Sequence, residues 1–490
     1  MTAAPIKHIV ICGSDLAAWM AAATLSKNLP TTIKITVLET ENSDRADIFY
    51  GSVTSPSAYK FFSSLSLSEA DLLLRTRSSF SYGTSYKNWG LTDANWVQCF
   101  QAPFPIWDGV SFAHHITDKT QALEQYLMSA QAGIRGKFAH PPSDKKSPLS
   151  SAEYGYHFNA RDLTQLLKVI AAKQGVQSKS QDIASVESRD GDITGVKLKT
   201  GETLSADLYV DASGPDAPLI SALEETDIQT TRKLGAFYSE RKSEALGPPL
   251  RRVTSHDFGW QSLTSLQEVD AVMTLFAPQS EESARKAHPQ SDATHCEVRL
   301  GRRRKAWSGN CVAIGHAAAI IEPTTPAPFM LLQKDIERLM GLIPVTDAFD
   351  IEAKIFNEAF QTDVENIQLF NKALFQLDDL PDTEYWADAK SNSASAKLGR
   401  KFDQFSHRGV LVSYDLEPFN DEDWTILHHG IGRTPRKRDV IAKLSNGKKI
   451  SLNLRNKAKA IQNIVAKMPP HHIYMANYLN YLERNHVSDL

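Results

Sequence analysis

The chain has 490 residues, 42% of them hydrophobic and 23% charged, and its formal net charge is only −3. This length can bury one large or two to three ordinary domains, and the low net charge provides no long-range field for nucleic acid or an anionic membrane. The sequence lacks the segment order of a signal peptide and any long apolar run. Its cysteines do not have the spacing that is typical of metal sites or disulfides. We therefore expect a cytoplasmic protein without a metal site.

A strand, a tight turn, a helix and a second strand are predicted at the start of the chain. The apolar run KHIVIC is followed by GSD, by the alanine-rich LAAWMAAATLSKNL and by IKITVLET. This order is typical of the βαβ unit of a nucleotide-binding fold. We therefore predict an α/β protein that begins with a Rossmann-like module.

The rest of the chain is predicted to form four further regions. Residues 50–150 have little helical periodicity and favour strands and loops inserted into the module, which we place at 1–220. Alternating polar and apolar residues predict a sheet that covers the substrate at 221–300. A strand that turns into a helix returns to the module at 301–345, and the region 346–490 is expected to be mostly helical.

The first turn departs from the glycine pattern of dinucleotide sites. Such a turn needs one glycine for the bend, one for close approach to the pyrophosphate and one for helix packing. Gly13 fills the first place and Ala18 is a tolerable third, but Asp15 holds the second, where a carboxylate would face phosphate. Glu39 ends the second strand and could accept hydrogen bonds from a ribose; the alternative is a solvated acid at a strand end.

Two later turns strengthen this prediction. The run VDASGP places Asp211 at a strand end before a turn that allows a ligand to approach closely, and AIGHAA places Gly315 and His316 between a strand and a helix. His316 could donate a hydrogen bond to a cofactor oxygen, although a histidine at a helix start is often a partly exposed cap residue.

Several longer segments resemble the flavin-dependent tryptophan halogenase family from one end of the chain to the other. The similar segments are GSDLAAWMAA, SFSYGTSYKNW, YGYHFNA, LYVDASG, NCVAIGHAAAIIEP, LPDTEYW, WTILHHGIGRTP and MPPHH. The likeness is specific because identical residues recur at irregular spacing. The resemblance implies an FAD-binding module, a small aromatic substrate, a separate flavin reductase and, as a further option, a homodimer.

The resemblance also assigns residues to the cofactor and substrate sites. Trp260, which the family places between flavin and substrate, and Phe80 are expected in the substrate pocket. The residues expected at the cofactor are Gly13, Asp15, Ala18, Glu39, the strap residues Gly51, Ser52 and Val53, and Asp211, Gly315, His316 and Pro328.

Positions that halogenation uses in the family carry other residues here. Ser81 stands where the family has the lysine that captures the halogen, and a hydroxyl cannot replace an amine. Thr325 replaces a glutamate, and Pro328 falls where a glycine amide holds chloride, although proline has no N–H. The strap also lacks its glutamate, and only Trp260 remains of the WxWxIP segment.

Three functional hypotheses follow from these departures. The first is a flavin-dependent oxidoreductase that does not halogenate, most plausibly a monooxygenase of an aromatic or indole-like substrate, because the flavin carries the difficult step. The second is a non-catalytic family member that binds a ligand or a partner, which Asp15 favours. The third is an active tryptophan halogenase with rearranged residues.

Overall fold

The computed structural model of the protein describes residues 5–40, 46–89, 95–116 and 122–486, except for 378, 394, 410, 412, 415 and 438. Buried apolar side chains from Ile6 to Leu482 form one continuous core. Within the described residues, every helix is too short or too polar to cross a membrane.

A six-stranded sheet forms the nucleotide-binding module. In spatial order its strands are Trp307–Ser308, Cys311–Ala313, Leu208–Asp211, His8–Cys12, Lys34–Glu39 and Gln177–Ser180. All neighbours are parallel except the first pair, and the central strand pairs Ile9 with both Ile35 and Leu208. The predicted Rossmann-like βαβ unit is confirmed.

The helix Leu16–Asn28 contacts the strands of this module, and the helices Ala160–Lys173 and Ala327–Gly341 pack on that helix. The first helix is buried continuously from Leu16 to Leu25, because its alanines and apolar residues cover every side of the helix. Asp15 ends the preceding turn with extended backbone, and its side chain accepts the Ala17 N–H. The alanine-rich helix therefore begins at an aspartate cap.

The protein contains a second, eight-stranded sheet. Its strands, in spatial order, are Ala319–Ile320, Thr294–Arg303, Ile228–Lys242, Val269–Phe276, Gly259–Ser265, Arg251–His256, Gly83–Lys87 and Asn95–Cys99. Five of these lie in the predicted sheet region 221–300 or overlap it. The last two come from the region 50–150, so this insertion completes the same sheet.

The inserted region contains helices that its sequence does not predict. Short helices occupy Ser57–Ser64, Glu69–Arg75 and Met128–Ile134, and Ser68 forms a capping box with Asp71 at the start of the second. Helices of seven or eight residues contain only two turns, so their apolar periodicity is too short to recognise. The prediction of strands and loops alone was wrong here.

Smaller strands complete the β-structure. Ser79–Ser81 pairs with Gly155–His157, and Ile106–Trp107 pairs with Val110–Ser111. A separate meander contains Ile183–Arg189, Asp192–Leu198 and Thr203–Leu204.

The last third of the chain is helical, as predicted. Its helices are Asp350–Ala373, Glu384–Ser393, Ala396–Arg408, Asp421–Gly430, Val440–Leu444, Gly447–Lys467 and His471–Asn485. One further helix, Glu281–Ala287, lies beside the larger sheet. The C-terminal helices close the interior around residues 80 to 140, because His471, Tyr474 and Tyr478 contact Phe80 there.

Candidate cofactor and substrate sites

The first turn packs too closely for any side chain at its glycine. Gly13 has φ +140°, and a Cβ at this position would lie 2.3 Å from the carbonyl oxygen of Ala212 and 3.2 Å from Cβ of Ala18. Gly13 and Ala18 therefore fit the bend and the close strand–helix contact expected of them.

Asp15 places a carboxyl group at the positive end of the first helix. One oxygen accepts the Ala17 amide at 3.1 Å, whereas Oδ2 is buried and has no partner among the described residues. Burial, followed by repulsion from Asp47, raises the pKa of Asp15 to about 7. Asp15 is therefore partly protonated near neutral pH, and the neutral form does not repel phosphate.

A stacked pair of rings lies beside the later glycine turn. The rings of Tyr50 and His316 stack with centroids 3.9 Å apart at 15°. Gly315 has φ +57°, and a Cβ there would lie 2.6 Å from the Tyr50 hydroxyl. His316 is only 3% exposed, and burial lowers its pKa to about 3, so the ring is neutral. The alternative of a partly exposed cap histidine was wrong.

Two predicted cofactor carboxylates already have partners within the protein. Glu39 accepts two hydrogen bonds from Lys168 Nζ, at 2.7 and 2.8 Å, so the alternative of a merely solvated acid was wrong. Asp211 accepts the amides of Ser213, Leu219 and Ile220 and the Ser213 hydroxyl. Asp211 therefore shapes the turn after its strand, and its oxygens are occupied by that loop.

The strap at residues 51–54 connects the cofactor region with Ser81. The Thr54 amide donates to Tyr156, and Ser52 accepts from the Phe158 amide, so the strap adds to the strand Gly155–His157. That strand pairs in turn with Ser79–Ser81. Gly51 and Ser52 have positive φ values of 84° and 55°. Val53 is buried in this ladder.

Ser81 and Phe80 are both fully buried. The Ser81 hydroxyl donates to the carbonyl of Gly83 at 3.3 Å and accepts its amide at 3.2 Å, so it is used within the turn. Phe80 stacks on Phe138 with centroids 4.2 Å apart at 3°, inside a cluster of tyrosines and histidines. Phe80 fills the interior as a core residue in this conformation.

Thr325 and Pro328, two of the positions that differ from the family, lie around the start of the helix Ala327–Gly341. The Thr325 hydroxyl donates to Oδ1 of Asn371 at 2.5 Å and accepts the Ala327 amide at 3.2 Å. Pro328, in the first helical turn, has no N–H to donate. This segment therefore presents neither a carboxylate at 325 nor a free amide at 327 and 328.

Trp260 belongs to a buried network that the sequence does not reveal. Its Nε1 donates to Glu322 at 2.7 Å, and Glu322 also accepts from Arg232 at 2.6 Å and from the Tyr385 hydroxyl. Arg232 reaches Asp388 as well, at 2.7 Å. Both partners of the pair Arg232–Glu322 are less than a tenth exposed. Trp260 is held edge-on to a carboxylate, in the interior.

Arg251 is a second buried cation that sequence reasoning missed. Its side chain is fully buried, and none of its three guanidinium nitrogens has a hydrogen-bond partner among the described residues. The available signal was the pair Arg251–Arg252 at the start of a strand. Since side chains alternate along a strand, one of two adjacent arginines must face inward.

A cavity of about 550 Å³ lies between the module and the eight-stranded sheet. His316 and Pro215 line it from the module, and Lys233, Phe276 and Arg299 line it from the sheet. Its size is in the range of small-molecule sites. In the described part of the chain, no three His, Cys, Asp or Glu side chains gather to hold a metal ion.

The fold and site together define a dinucleotide-binding α/β enzyme fold with a second sheet beside the cofactor turn. A model of the family described as tryptophan halogenase matches residues 8–446, so the chain belongs to the tryptophan halogenase family.

The chain is similar to several known halogenases. It is 24% identical to tryptophan 6-halogenase ThaL of Streptomyces albogriseolus, with 85% of this chain and 84% of ThaL covered. Among solved structures, BrvH, a flavin-dependent halogenase from Brevundimonas sp. BAL3, is 26% identical, covers 96% of this chain and 99% of its own, and has a TM-score of 0.89. Xcc4156, a flavin-dependent halogenase from Xanthomonas campestris, is 24% identical with 97% and 98% covered and a TM-score of 0.89.

The family implies FAD as the cofactor, and the residues of the turns fit it. Oδ2 of Asp15 and both ring nitrogens of His316 are buried polar atoms without partners among the described residues. Such atoms are costly unless a ligand or water satisfies them. Their grouping around Gly13 and Gly315 fits a polar cofactor, provided that Asp15 is protonated when it faces phosphate.

Proposed function

We propose that the protein is a flavin-dependent halogenase of an aromatic substrate, supplied with reduced flavin by a separate reductase. The similarity to BrvH, at 26% identity over nearly both chains, is the observation that carries this proposal. The comparisons thus favour the third of the hypotheses drawn from the sequence over the first. The homodimer and the cytoplasmic location stay predictions.

The residues of this chain would bind and enclose the cofactor. Gly13 and Gly315 allow close approach of the backbone, the neutral form of Asp15 donates to phosphate, and His316 offers a neutral ring to a cofactor oxygen. The strap at 51–54 is fixed to the strand Gly155–His157, which also pairs with the strand that contains Ser81. When bound and reduced, FAD supplies the electrons that activate oxygen.

Monooxygenation of an aromatic substrate is the second candidate. Ser81 provides no amine, and the Thr325 hydroxyl occupies the Ala327 amide. Neither feature hinders an oxygen transfer that the cofactor carries out in a closed site. The non-catalytic alternative depends on Asp15 staying ionised and excluding FAD.

One assay distinguishes the three functions. The protein is incubated with FAD, a flavin reductase, oxygen, catalase, an indole and either bromide, chloride or no halide, and the products are identified by mass spectrometry. A halogenated indole at multiple turnovers is the expected result. A hydroxylated product that forms equally without halide would establish monooxygenation instead, and absence of product together with absence of FAD binding would establish the non-catalytic role.

A further inference from the structure

Arg251 carries a positive charge in the interior of the protein. It begins the strand Arg251–His256 and pairs in register with Thr84 of the neighbouring parallel strand. The side chain is 0% exposed, and it forms no ion pair or hydrogen bond with any described residue. Burial lowers the pKa of Arg251 to about 10, so the guanidinium remains charged at neutral pH.

The Glu322 carboxylate does not pair with Arg251, because it binds other groups. The Trp260 ring, whose centroid lies 5.6 Å from the Arg251 guanidinium carbon, donates its N–H to Glu322. Glu322 already accepts from Arg232 and Tyr385. An uncompensated buried charge costs several kcal/mol, so proteins pair such groups or bind a counter-ion.

Two hydroxyl donors around Arg251 also lack a hydrogen-bond partner within the described part of the chain. The hydroxyl of Thr84, its register partner, is buried without a partner among the described residues, and so is the hydroxyl of Thr324. Burial raises the pKa of Tyr86, and the nearby charge of Arg251 opposes this rise. The Tyr86 hydroxyl donates to the Thr324 carbonyl at 2.8 Å, which connects these residues.

His157 adds a neutral ring to this group, without a free donor. Its Nε2 has no partner among the described residues, while Nδ1 lies 3.2 Å from the Ser265 carbonyl. Burial, with additional repulsion from His471 and Arg251, lowers the pKa of His157 to about 3. Because the Ser265 carbonyl can only accept, Nδ1 carries the proton and Nε2 is an acceptor. The guanidinium and the two hydroxyls thus offer the hydrogen-bond donors, with no acidic side chain among them.

We infer that Arg251 binds a small monovalent anion inside the protein, either a halide ion or the carboxylate group of an aromatic substrate. A halide bound here would contact the Arg251 guanidinium instead of the backbone amide that Pro328 lacks. For a halide ligand, the inference rests on the proposed function. A carboxylate would use the fork geometry of the guanidinium, which suits two parallel hydrogen bonds.

Anion titrations of the full-length protein, with and without FAD, test this inference. Sodium bromide, sodium acetate and sodium indole-3-carboxylate are added at constant ionic strength, with a bulky sulfonate as the balancing anion, and tryptophan fluorescence and Tm are followed. We expect a saturable rise in Tm with halide or with carboxylate, and saturable quenching by bromide that Trp260→Phe reduces. A response to bromide alone identifies a halide site, whereas a response to carboxylates alone identifies a substrate site.

The adjacent arginines provide a matched pair of variants. Arg251→Met keeps most of the side-chain volume and should abolish the saturable response, whereas Arg252→Met, on the exposed face of the same strand, should leave it unchanged. Arg251→Lys should weaken anion binding about tenfold, because an ammonium lacks the fork of donors. If Arg251→Met does not fold, the titrations of Arg251→Lys and of the wild-type protein test the inference instead.

Two results would overturn the inference: a wild-type protein without saturable anion dependence, or a response that Arg251→Met retains. The titrations need neither reductase nor turnover, so they are independent of the proposed function. Bromide binding at Arg251 without any halogenated product would refute only the proposed function. Halogenation with an unchanged KM for both the halide and the aromatic substrate in Arg251→Met would refute only the inference.

Discussion

At the scale of single residues, the protonation state of Asp15 determines whether the first turn repels a phosphate group. Its carboxyl group caps the helix whichever way it titrates, but only the neutral form offers a proton at Oδ2. The folded-state pKa of Asp15, about 7, lies above the ordinary value of 3.8. Asp15 therefore lowers the free energy of unfolding progressively as pH rises between these two values. Cofactor affinity should follow the same direction.

We expect the Kd for FAD to rise with pH above 7, by up to about tenfold per pH unit if only neutral Asp15 binds phosphate. Asp15→Asn keeps a capping side chain and should make FAD affinity nearly independent of pH between 6 and 8. Flavin fluorescence titrations measure both. Glu124, whose pKa burial also raises to about 7 and which accepts the Val97 amide, provides the control variant Glu124→Gln, which should retain the pH dependence. An unchanged slope in Asp15→Asn would show that another group titrates.

Ser81 tests whether a single residue limits halogenation. Ser81→Lys introduces a long side chain at a fully buried position, so it should lower the free energy of unfolding by about 1–3 kcal/mol. It should not increase halogenated product, because the proposed halogenation proceeds without an amine at position 81 and the variant leaves Thr325 and Pro328 unchanged. Denaturant unfolding and mass spectrometry measure the two effects.

Ser81→Ala is the matched control for the lysine variant. It removes only the hydrogen bonds with Gly83 and should cost about 1 kcal/mol. A gain of halogenated product in Ser81→Lys alone would contradict the view that several positions act together.

Sequence motifs selected some candidate residues of the site and did not select others. Ser81, Thr325 and Pro328 were found because flanking motif residues align them with the family pattern. Arg251 and Glu322 were not assigned a role, because their importance comes from burial and from missing or multiple partners. Those properties depend on residues such as Thr84 and Tyr385, which are distant in sequence.

At the scale of elements, the Arg232–Glu322 pair joins the larger sheet to the cofactor segment. Arg232 lies on the strand Ile228–Lys242, Trp260 on Gly259–Ser265 and Tyr385 on the helix Glu384–Ser393. Glu322 precedes the helix Ala327–Gly341 and accepts from all three. Its carboxylate therefore fixes the segment 322–328 against the sheet.

Glu322→Ala should lower the free energy of unfolding by about 3–5 kcal/mol, because it leaves Arg232 charged and buried without its main partner. Glu282→Ala breaks the exposed pair with Lys286 and should change stability by less than about 1 kcal/mol. Both are measured by denaturant unfolding. Equal effects of the two variants would show that the buried pair contributes no more than a surface pair.

Element prediction succeeded where periodicity extends over several turns or a full βαβ unit. The helix Ala160–Lys173 and the strands around Gly13 and Gly315 follow from such patterns. The pairing of Gly83–Lys87 with Arg251–His256 does not, because a parallel contact between segments so distant in sequence depends on tertiary packing.

At the scale of the whole molecule, cofactor binding should stabilise the fold by mass action. Free FAD at about 100 times its Kd should add about 2.7 kcal/mol, which appears as an increase in Tm. Gly315→Ala, whose Cβ would lie 2.6 Å from the Tyr50 hydroxyl, should diminish this increase. Gly341→Ala, whose Cβ meets nothing within 4 Å, should preserve it. Equal increases in both variants would place the cofactor away from Gly315.

The topology of the six-stranded sheet has a consequence for synthesis on the ribosome. The strand His8–Cys12 is made about two hundred residues before its second neighbour, Leu208–Asp211, and Cys311–Ala313, which pairs with that neighbour, is made later still. Until then the early βαβ unit exposes an unpaired apolar edge, which invites aggregation. Slower translation or a chaperone that shields nascent chains should therefore raise the yield of folded protein.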